Sequence, residues 1–265
     1  MSFDAAALLD WYDRVRRPLP WRATRDPYAL LVSEVMLQQT QAARVVPYYE
    51  AFLERFPDAA ALAEAPAADV LAAWSGLGYN RRALALRRAA RAVADRGWPE
   101  DLTELPGVGA YTAAAVGSFA WDRQTAAVDT NVRRVISRHD GAEHGPGALA
   151  RRAGELMPAG RAARFNQAMM ELGATVCRPR RPECGGCPVR AGCASAGRVY
   201  APAARQGRRE RFEDTDRWAR GRIVAALVAG EAPPALDLAR LERAEAGLLR
   251  DGLAVRGPDG ALRLP

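Results

Sequence analysis

The stretch from Glu104 to Arg138, ELPGVGAYTAAAVGSFAWDRQTAAVDTNVRRVISR, limits what this chain can fold into more than any other part of it. Leu105-Pro106-Gly107-Val108-Gly109 reads as a tight turn. Pro106 fixes φ and has no N–H to give, and the two glycines can take backbone angles closed to other residues. Tyr111 to Ala120 then reads as a helix rich in small residues. A glycine turn that opens a helix leaves backbone N–H groups free to meet a phosphate. Further on, Asp129 stands where the next helix would begin, before Asn131-Val132-Arg133-Arg134, and an aspartate there acts as an N-cap.

The phosphate reading agrees with the charge. The chain carries 38 basic and 31 acidic residues, a net +7, with pI near 9.7, and such a balance favours a polyanion such as nucleic acid. A merely basic surface is the plain alternative. Every positive side chain is Arg, because the sequence contains no Lys; no side-chain amine is available for a Schiff base. Apolar residues at 49% and charged residues at 26% suit a soluble globular chain of 265 residues. No apolar run of membrane-spanning length occurs, and the N-terminus is amphipathic rather than a signal peptide, so a cytoplasmic location is expected. The two histidines, His139 and His144, fall by the loop 139–147 and are expected to face solvent. A multi-His metal site or a His-based triad is therefore not expected.

Helical patterns run over 4–16, from Asp26-Pro27 to Thr40, and over about 42–55, 58–64, 67–75, 81–95, 110–120, 130–138, 147–157 and 161–174. Pro57, Pro66, Gly76-Leu77-Gly78 and Gly97-Trp98-Pro99 punctuate them. No strand is evident before residue 200 and no repeat of fixed period occurs, so the body is expected to be all-α. Residues 198–211 read as a basic linker. Two helices, 215–229 and 236–250, and a hairpin turning at Pro258-Asp259-Gly260 follow, a small winged-helix-like pattern over 205–265.

Two carboxylates stand out for opposite reasons. Glu34 has Leu30, Leu31, Leu37 and Gln38 at helical spacing, so it is expected on a largely apolar side, desolvated and suited to general acid or base work. A buried Glu satisfied by an Arg is the plain reading. Asp129 at an N-cap is expected to stay ionised, held by backbone N–H groups and the helix dipole. Two carboxylates held in opposite states would suit cleavage of an N-glycosidic bond: one protonates the leaving base, the other steadies a cationic sugar. Four cysteines, Cys177, Cys184, Cys187 and Cys193, spaced C-x6-C-x2-C-x5-C, can ligate a [4Fe–4S] cluster or a Zn²⁺. Two disulfides are the alternative, which a cytoplasmic setting disfavours.

The turn, the spacing and the aspartate resemble the helix–hairpin–helix and trailing aspartate of base-excision DNA glycosylases. Ser33-Glu34-Val-Met-Leu-Gln-Gln-Thr-Gln41, Gly76-Leu-Gly-Tyr79, Leu105 to Gly109, Val128-Asp-Thr-Asn131 and Phe165 to Gly173 resemble, more narrowly, adenine DNA glycosylases of the MutY type. The likeness covers about residues 8–195. It implies a two-lobed all-α fold: a six-helix lobe over 23–132 with the helix–hairpin–helix, and a second lobe of 1–22 plus 133–197 that holds a [4Fe–4S] cluster on the four cysteines. It implies double-stranded DNA with a mispair or lesion as partner, a monomer, and removal of adenine opposite 8-oxoguanine or guanine. Under it Glu34 protonates adenine, Asp129 stabilises the oxocarbenium ion and Asn131 supports Asp129. Tyr111 stands where bifunctional relatives carry a Lys nucleophile. Trp21, Arg22 and Glu171 match adenine-pocket positions. Gln39, Thr40, Leu77 and Tyr79 match residues that wedge into the duplex or contact the opposite base, and Gly107 and Gly109 grip phosphate. Arg178, Arg180, Arg181 and Arg190, interleaved with the cysteines, are expected to face DNA.

Two departures bear on specificity. The sequence after 205 is short and unlike the β-rich domain that checks for 8-oxoguanine in typical members, so the tail is expected to add affinity more than discrimination. Asn80 stands where many relatives have a second aromatic residue. A mismatch thymine or uracil glycosylase is the alternative enzyme, since some such relatives also carry Tyr at the Tyr111 position; the Gln38-Gln39-Thr40-Gln41 run speaks against it. A non-catalytic DNA-binding iron–sulfur protein is a further alternative, and the Glu34/Asp129 pair speaks against that.

Overall fold

The computed structural model describes residues 2–200 and 210–265. Helices dominate, as the periodicity predicts: α1 (Ala5–Val15), α2 (Pro27–Leu37), α3 (Ala42–Arg55), α4 (Ala59–Glu64), α5 (Ala67–Trp74), α6 (Arg81–Arg96), α7 (Ala110–Trp121), α8 (Thr130–Asp140), α9 (Pro146–Leu156), α10 (Ala162–Thr175), α11 (Asp216–Ala229) and α12 (Leu238–Arg250). The hairpin pairs β1 (Val255–Arg256) with β2 (Leu262–Arg263). The expected linker 198–211 lies largely outside the described residues. Among them, no helix is long and apolar enough to cross a membrane.

Side-chain caps set many of the starts. Asp4, Asp58 and Asp237 accept backbone N–H groups in the first turns of α1, α4 and α12, at 2.9, 2.8 and 2.9 Å. Each satisfies a donor that the helix itself cannot, worth about 1 kcal/mol. At the other ends, Gly141 and Gly230 close α8 and α11 in the left-handed region, at φ 71° and 67°.

Contacts divide the chain into two compact units, Met1–Leu30 with Gly109–Arg205, and Leu31–Val108 with Gln206–Pro265. In the first unit α10 packs on α1, α7 and α8. Its core gathers Leu8, Tyr12, Ile136, Phe165, Met169 and Leu172, all nearly inaccessible. This division differs from the expected boundary after 132. Helix α7 goes with α10 because its small residues, Ala114 and Ala115, let it sit close, with Phe119 filling the gap. Asp122, left-handed at φ 52°, ends α7 and accepts the Ala163 N–H at 2.8 Å, so one side chain closes one helix and starts another.

In the second unit α4 and α5 pack on α6, and α3 on α5. Trp74, fully buried, meets Phe52 edge-on at 5.9 Å. The tail joins this unit instead of standing apart: α11 packs on α5 and on α12.

The histidines differ from expectation. His139 is buried, at 3% exposure, with its ring edge-on to Phe3 at 4.9 Å; only His144 keeps partial exposure. Both contact Asp140, which Arg152 also grips through Nε and Nη2 at 2.9 and 3.0 Å. The Arg152 hydrogen bonds lead in holding the Asp140 carboxyl down to about 2. A helical stripe that includes Val132, Val135 and Ile136 turns His139 inward, which the loop assignment at 139 missed.

Candidate active site and DNA interface

Asp129 is the N-cap of α8. One carboxylate oxygen accepts the Val132 N–H at 2.7 Å and the other accepts the Asn131 Nδ2–H at 2.8 Å. Asn131 is fixed in turn, its Oδ1 accepting from Arg134 Nη2 at 2.7 Å. Arg134 also donates to the Gly173 carbonyl at 2.7 Å and to the Cys177 carbonyl at 2.8 Å. A chain of charge-assisted hydrogen bonds thus runs from Asp129 to the first cysteine of the loop. Burial leads in lowering the Arg134 pKa, and the guanidinium keeps its charge. Gly173 makes the approach possible: a Cβ there would lie 2.5 Å from the Asn131 Cβ. The segment ahead of Asp129 is pinned by buried Asn166, which accepts the Ala127 N–H at 3.1 Å and donates to the Thr125 carbonyl at 2.9 Å.

In the same unit Glu171 is fully buried and doubly paired. Arg17 grips it with two hydrogen bonds at 2.8 and 2.9 Å, and Arg22 adds one at 2.6 Å. Burial pushes the Glu171 carboxyl up, but the hydrogen bonds and charges of the two arginines outweigh it and hold the group below its usual value. Losing both arginines would leave the Glu171 carboxylate buried and unpaired, a situation that costs about 3–5 kcal/mol. Arg22 lies 5.5 Å over the Tyr12 ring. Trp21 is buried beside it in sequence, at 6% exposure. Tyr111, in the first turn of α7, is half-buried and packs against the α7 core.

Glu34 lies in the middle of α2, where Tyr28 to Met36 are buried without a break. A helix apolar all round is a core helix, and Glu34, at 5% exposure, is the charged residue in it. Two turns beyond the helix end and beyond α5 are strained. Among the described residues three non-glycines have positive φ, Gln39 at 60°, Tyr79 at 51° and Asp122 at 52°. Two of these three are expected DNA contacts, and such strain gathers at functional sites. Gln39 is exposed and Thr40 half-buried. Tyr79 is 44% exposed, whereas Leu77, at 6%, is an anchor of its turn rather than a projecting wedge.

Arg82 holds this turn against the end of α2. It donates to the carbonyls of Val35, Met36 and Gln38 at 2.7, 3.1 and 2.6 Å, and to Gly78 at 3.0 Å. Burial lowers its pKa to about 10, so it stays charged at neutral pH. The hairpin Leu105 to Gly109 is anchored by buried Leu105 and Val108, closed by the Val108 N–H donating to the Leu105 carbonyl at 3.0 Å. Gly107 and Gly109 are left exposed. Gly107 has φ 80°, and a Cβ on it would meet Ala85 at 2.7 Å, so both angle and space require glycine. A groove of about 260 Å³ beside it is lined by Arg81, Arg82, Arg88, Pro106 and Gly107.

The four cysteines are free thiols, each half-buried. Cys177 and Cys187 pack against the α1/α8/α10 core. Short 3-10 turns at Cys184–Gly186 and Arg190–Gly192 fold the loop back. Arg138 reaches the Cys177 sulfur at 3.5 Å and donates to the Arg178 carbonyl at 2.8 Å. Burial pushes the Cys187 thiol up to about 11, and the other three thiols add to the rise. Four thiols on one short loop are the donor set that a thiolate-bound iron–sulfur group takes. Among the described residues no three His, Cys, Asp or Glu side chains converge as ligands of one metal ion.

Sequence reasoning missed Arg17, Arg82, Arg134, Asn166 and Gly173. In a chain whose 38 basic residues are all Arg, no pattern separates a buried tether from a surface charge. Gly173 falls in the last turn of α10, where a glycine reads as an ordinary helix end, so the sequence does not announce its close packing on Asn131. Gly173→Ala should displace Asn131 and loosen Asp129. We expect a loss of about 1–3 kcal/mol in denaturant unfolding and a crystal structure of the variant with the Asn131–Asp129 hydrogen bond broken.

The comparisons with known proteins fit these elements. The model of the HhH-GPD superfamily of base excision DNA repair proteins matches residues 32–159. The chain is 43% identical over 281 residues to an adenine DNA glycosylase of Mycobacterium tuberculosis, across 97% of this chain and 92% of that protein. It is 43% identical over 286 residues to an adenine DNA glycosylase of Mycolicibacterium smegmatis, across 100% of this chain and 97% of that one. Among solved structures, a thermostable thymine-DNA glycosylase superposes with TM-score 0.68 at 32% identity, over 72% of this chain and 94% of the other. The chain is a DNA glycosylase of base-excision repair and belongs to the adenine DNA glycosylase family of the HhH-GPD superfamily.

Proposed function

We propose that this enzyme hydrolyses the N-glycosidic bond of adenine mispaired with 8-oxoguanine or guanine in double-stranded DNA, acting as a cytoplasmic monomer. The observation that carries the reading is the hold on Asp129. Its carboxylate is fixed from two sides by Val132 and Asn131 at the positive end of α8, the arrangement needed to face a developing oxocarbenium ion. Glu34 is the proton donor. Its place on a core helix keeps it desolvated, which favours a carboxylic acid able to protonate the leaving base. A base inside a duplex must first leave the stack. The exposed, strained Tyr79, together with Gln39 and Thr40, wedges into the duplex and contacts the opposite base, and Gly107 and Gly109 hold the phosphate. Trp21, Arg22 and Glu171 form the wall of the adenine pocket; Arg17 keeps Glu171 ionised so that it accepts hydrogen bonds.

Cys177, Cys184, Cys187 and Cys193 would hold a [4Fe–4S] cluster, which when bound cross-links the loop and fixes Arg138 and the Arg134 tether. Anaerobically purified protein is expected to be brown and to contain about four irons per chain; colourless protein with stoichiometric zinc would contradict this assignment.

The likeness to a thymine-DNA glycosylase keeps a second substrate in view. Single-turnover assays on duplexes with adenine, thymine or uracil opposite guanine and 8-oxoguanine separate the readings: adenine should be released fastest, and preferential release of thymine would overturn the proposal. The enzyme is monofunctional, because a lyase needs an amine and the chain has no Lys. Borohydride should trap little covalent complex, and strand cleavage should lag far behind base release.

A further inference from the structure

The tail and the turn that bears Tyr79 are joined by a run of alternating rings and guanidinium groups. It begins at Trp74, fully buried in the second unit. Arg82 lies 5.4 Å from the Trp74 ring and 5.3 Å from the Tyr79 ring. Arg217, in the first turn of α11, lies 5.1 Å from the same Tyr79 ring. Arg217 also donates from Nη1 to the Tyr79 hydroxyl at 2.7 Å. The series ends at Phe212, whose ring lies 5.0 Å from Arg217 and is 49% exposed. Cation–π contacts of this kind fix the plane of a ring as well as its place.

Other contacts hold the tail in position to do this. Helix α11 packs on α5, the helix that leads into the turn. Asp251, after α12, pairs with Arg220 of α11 and lies 3.6 Å from Arg81 at the start of α6. Thr215 caps α11 and so fixes where Arg217 leaves the helix. Tyr79, at a strained φ of 51°, therefore has one cation from α6 and one from the tail beside its ring.

We propose that Arg217 is a positioning residue for Tyr79, and that through it the tail takes part in reading the base opposite the excised one, not only in adding charge. The proposal rests on the reading of Tyr79 as the residue that enters the duplex. Phe212, exposed beside Arg217, extends the same surface and offers a second ring to the unstacked step.

The test uses the full-length enzyme and duplexes with adenine opposite 8-oxoguanine or opposite guanine, one carrying a fluorescent base analogue beside the mispair to report unstacking. Four variants are compared: Arg217→Met, Arg217→Lys, Tyr79→Phe and the double Arg217→Met/Tyr79→Phe. Arg263→Met, which removes a tail charge on the hairpin, serves as control. The ratio of single-turnover rates for the two opposite bases should fall by about 5-fold or more in Arg217→Met, on the scale of a coupling of 1–3 kcal/mol. Arg217→Lys should recover part of it, and the double variant should be little worse than either single one. Arg263→Met should weaken binding to both duplexes alike. An unchanged ratio and an unchanged unstacking signal in Arg217→Met would overturn the proposal, as would strictly additive effects in the double variant. Tyr79→Ala separates the two levels. If it leaves unstacking untouched, the reading of Tyr79 itself is wrong and the proposal falls with it; if it abolishes unstacking while Arg217→Met does nothing, only the role of the tail is wrong.

Discussion

The hydrogen bond from Asn131 to Asp129 is the point on which the first unit is built. Asp129 could cap α8 with a single oxygen, and many aspartates do. Here the second oxygen is also held, at 2.8 Å, and the holder is itself held by Arg134. Arg134 reaches two carbonyls at the far end of α10, those of Gly173 and Cys177. The close approach needs the missing side chain at 173, and the course of the chain into Asp129 needs the buried amide of Asn166. One carboxylate therefore takes its orientation from helix α10 and from the start of the cysteine loop. The cysteine loop built this way is a structural support for the Asp129 carboxylate.

The second unit solves a different problem, the display of exposed polar and aromatic groups on a fixed backbone. Arg82 closes the end of α2 and the Gly76–Tyr79 turn with hydrogen bonds to four carbonyls. Gln39 and Tyr79 stay in left-handed conformations that few side chains choose. Such strain persists only where the surroundings determine it, and beside Tyr79 the surroundings include the half-buried Arg82 and, from the tail, Arg217.

Much of the fold was legible in the sequence because its signals are local. The helix start at Asp129 follows from its capping position, and the helices expected over 4–16, 58–64, 215–229 and 236–250 follow from local periodicity. The glycine hairpin at 105–109 is likewise a short-range feature. What the sequence hid is long-range. Nothing near Arg134 announces Gly173 and Cys177, some forty residues on. Arg217 lies 138 residues from Tyr79, and a chain with 38 arginines offers no way to single it out. Leu77 shows the same limit: the family resemblance implies a duplex contact, while its burial, at 6% exposure, is decided by packing. The loop beside His139 suggests exposure, although its helical register with Val132, Val135 and Ile136 turns it inward.

The chemical account depends on two carboxylates doing different work, Glu34 as a neutral acid and Asp129 as a fixed charge. Single-turnover excision of adenine by Glu34→Gln and Asp129→Asn, measured beside a duplex-binding titration, tests that division most directly. Glutamine keeps shape and hydrogen bonding but has no proton to give; asparagine keeps a capping oxygen but no charge. The account predicts that each slows excision by about 10²-fold or more, while binding, set mainly by phosphate contacts, changes far less. Excision at nearly the parental rate by Glu34→Gln would contradict it and leave Glu34 as a structural carboxylate of the core.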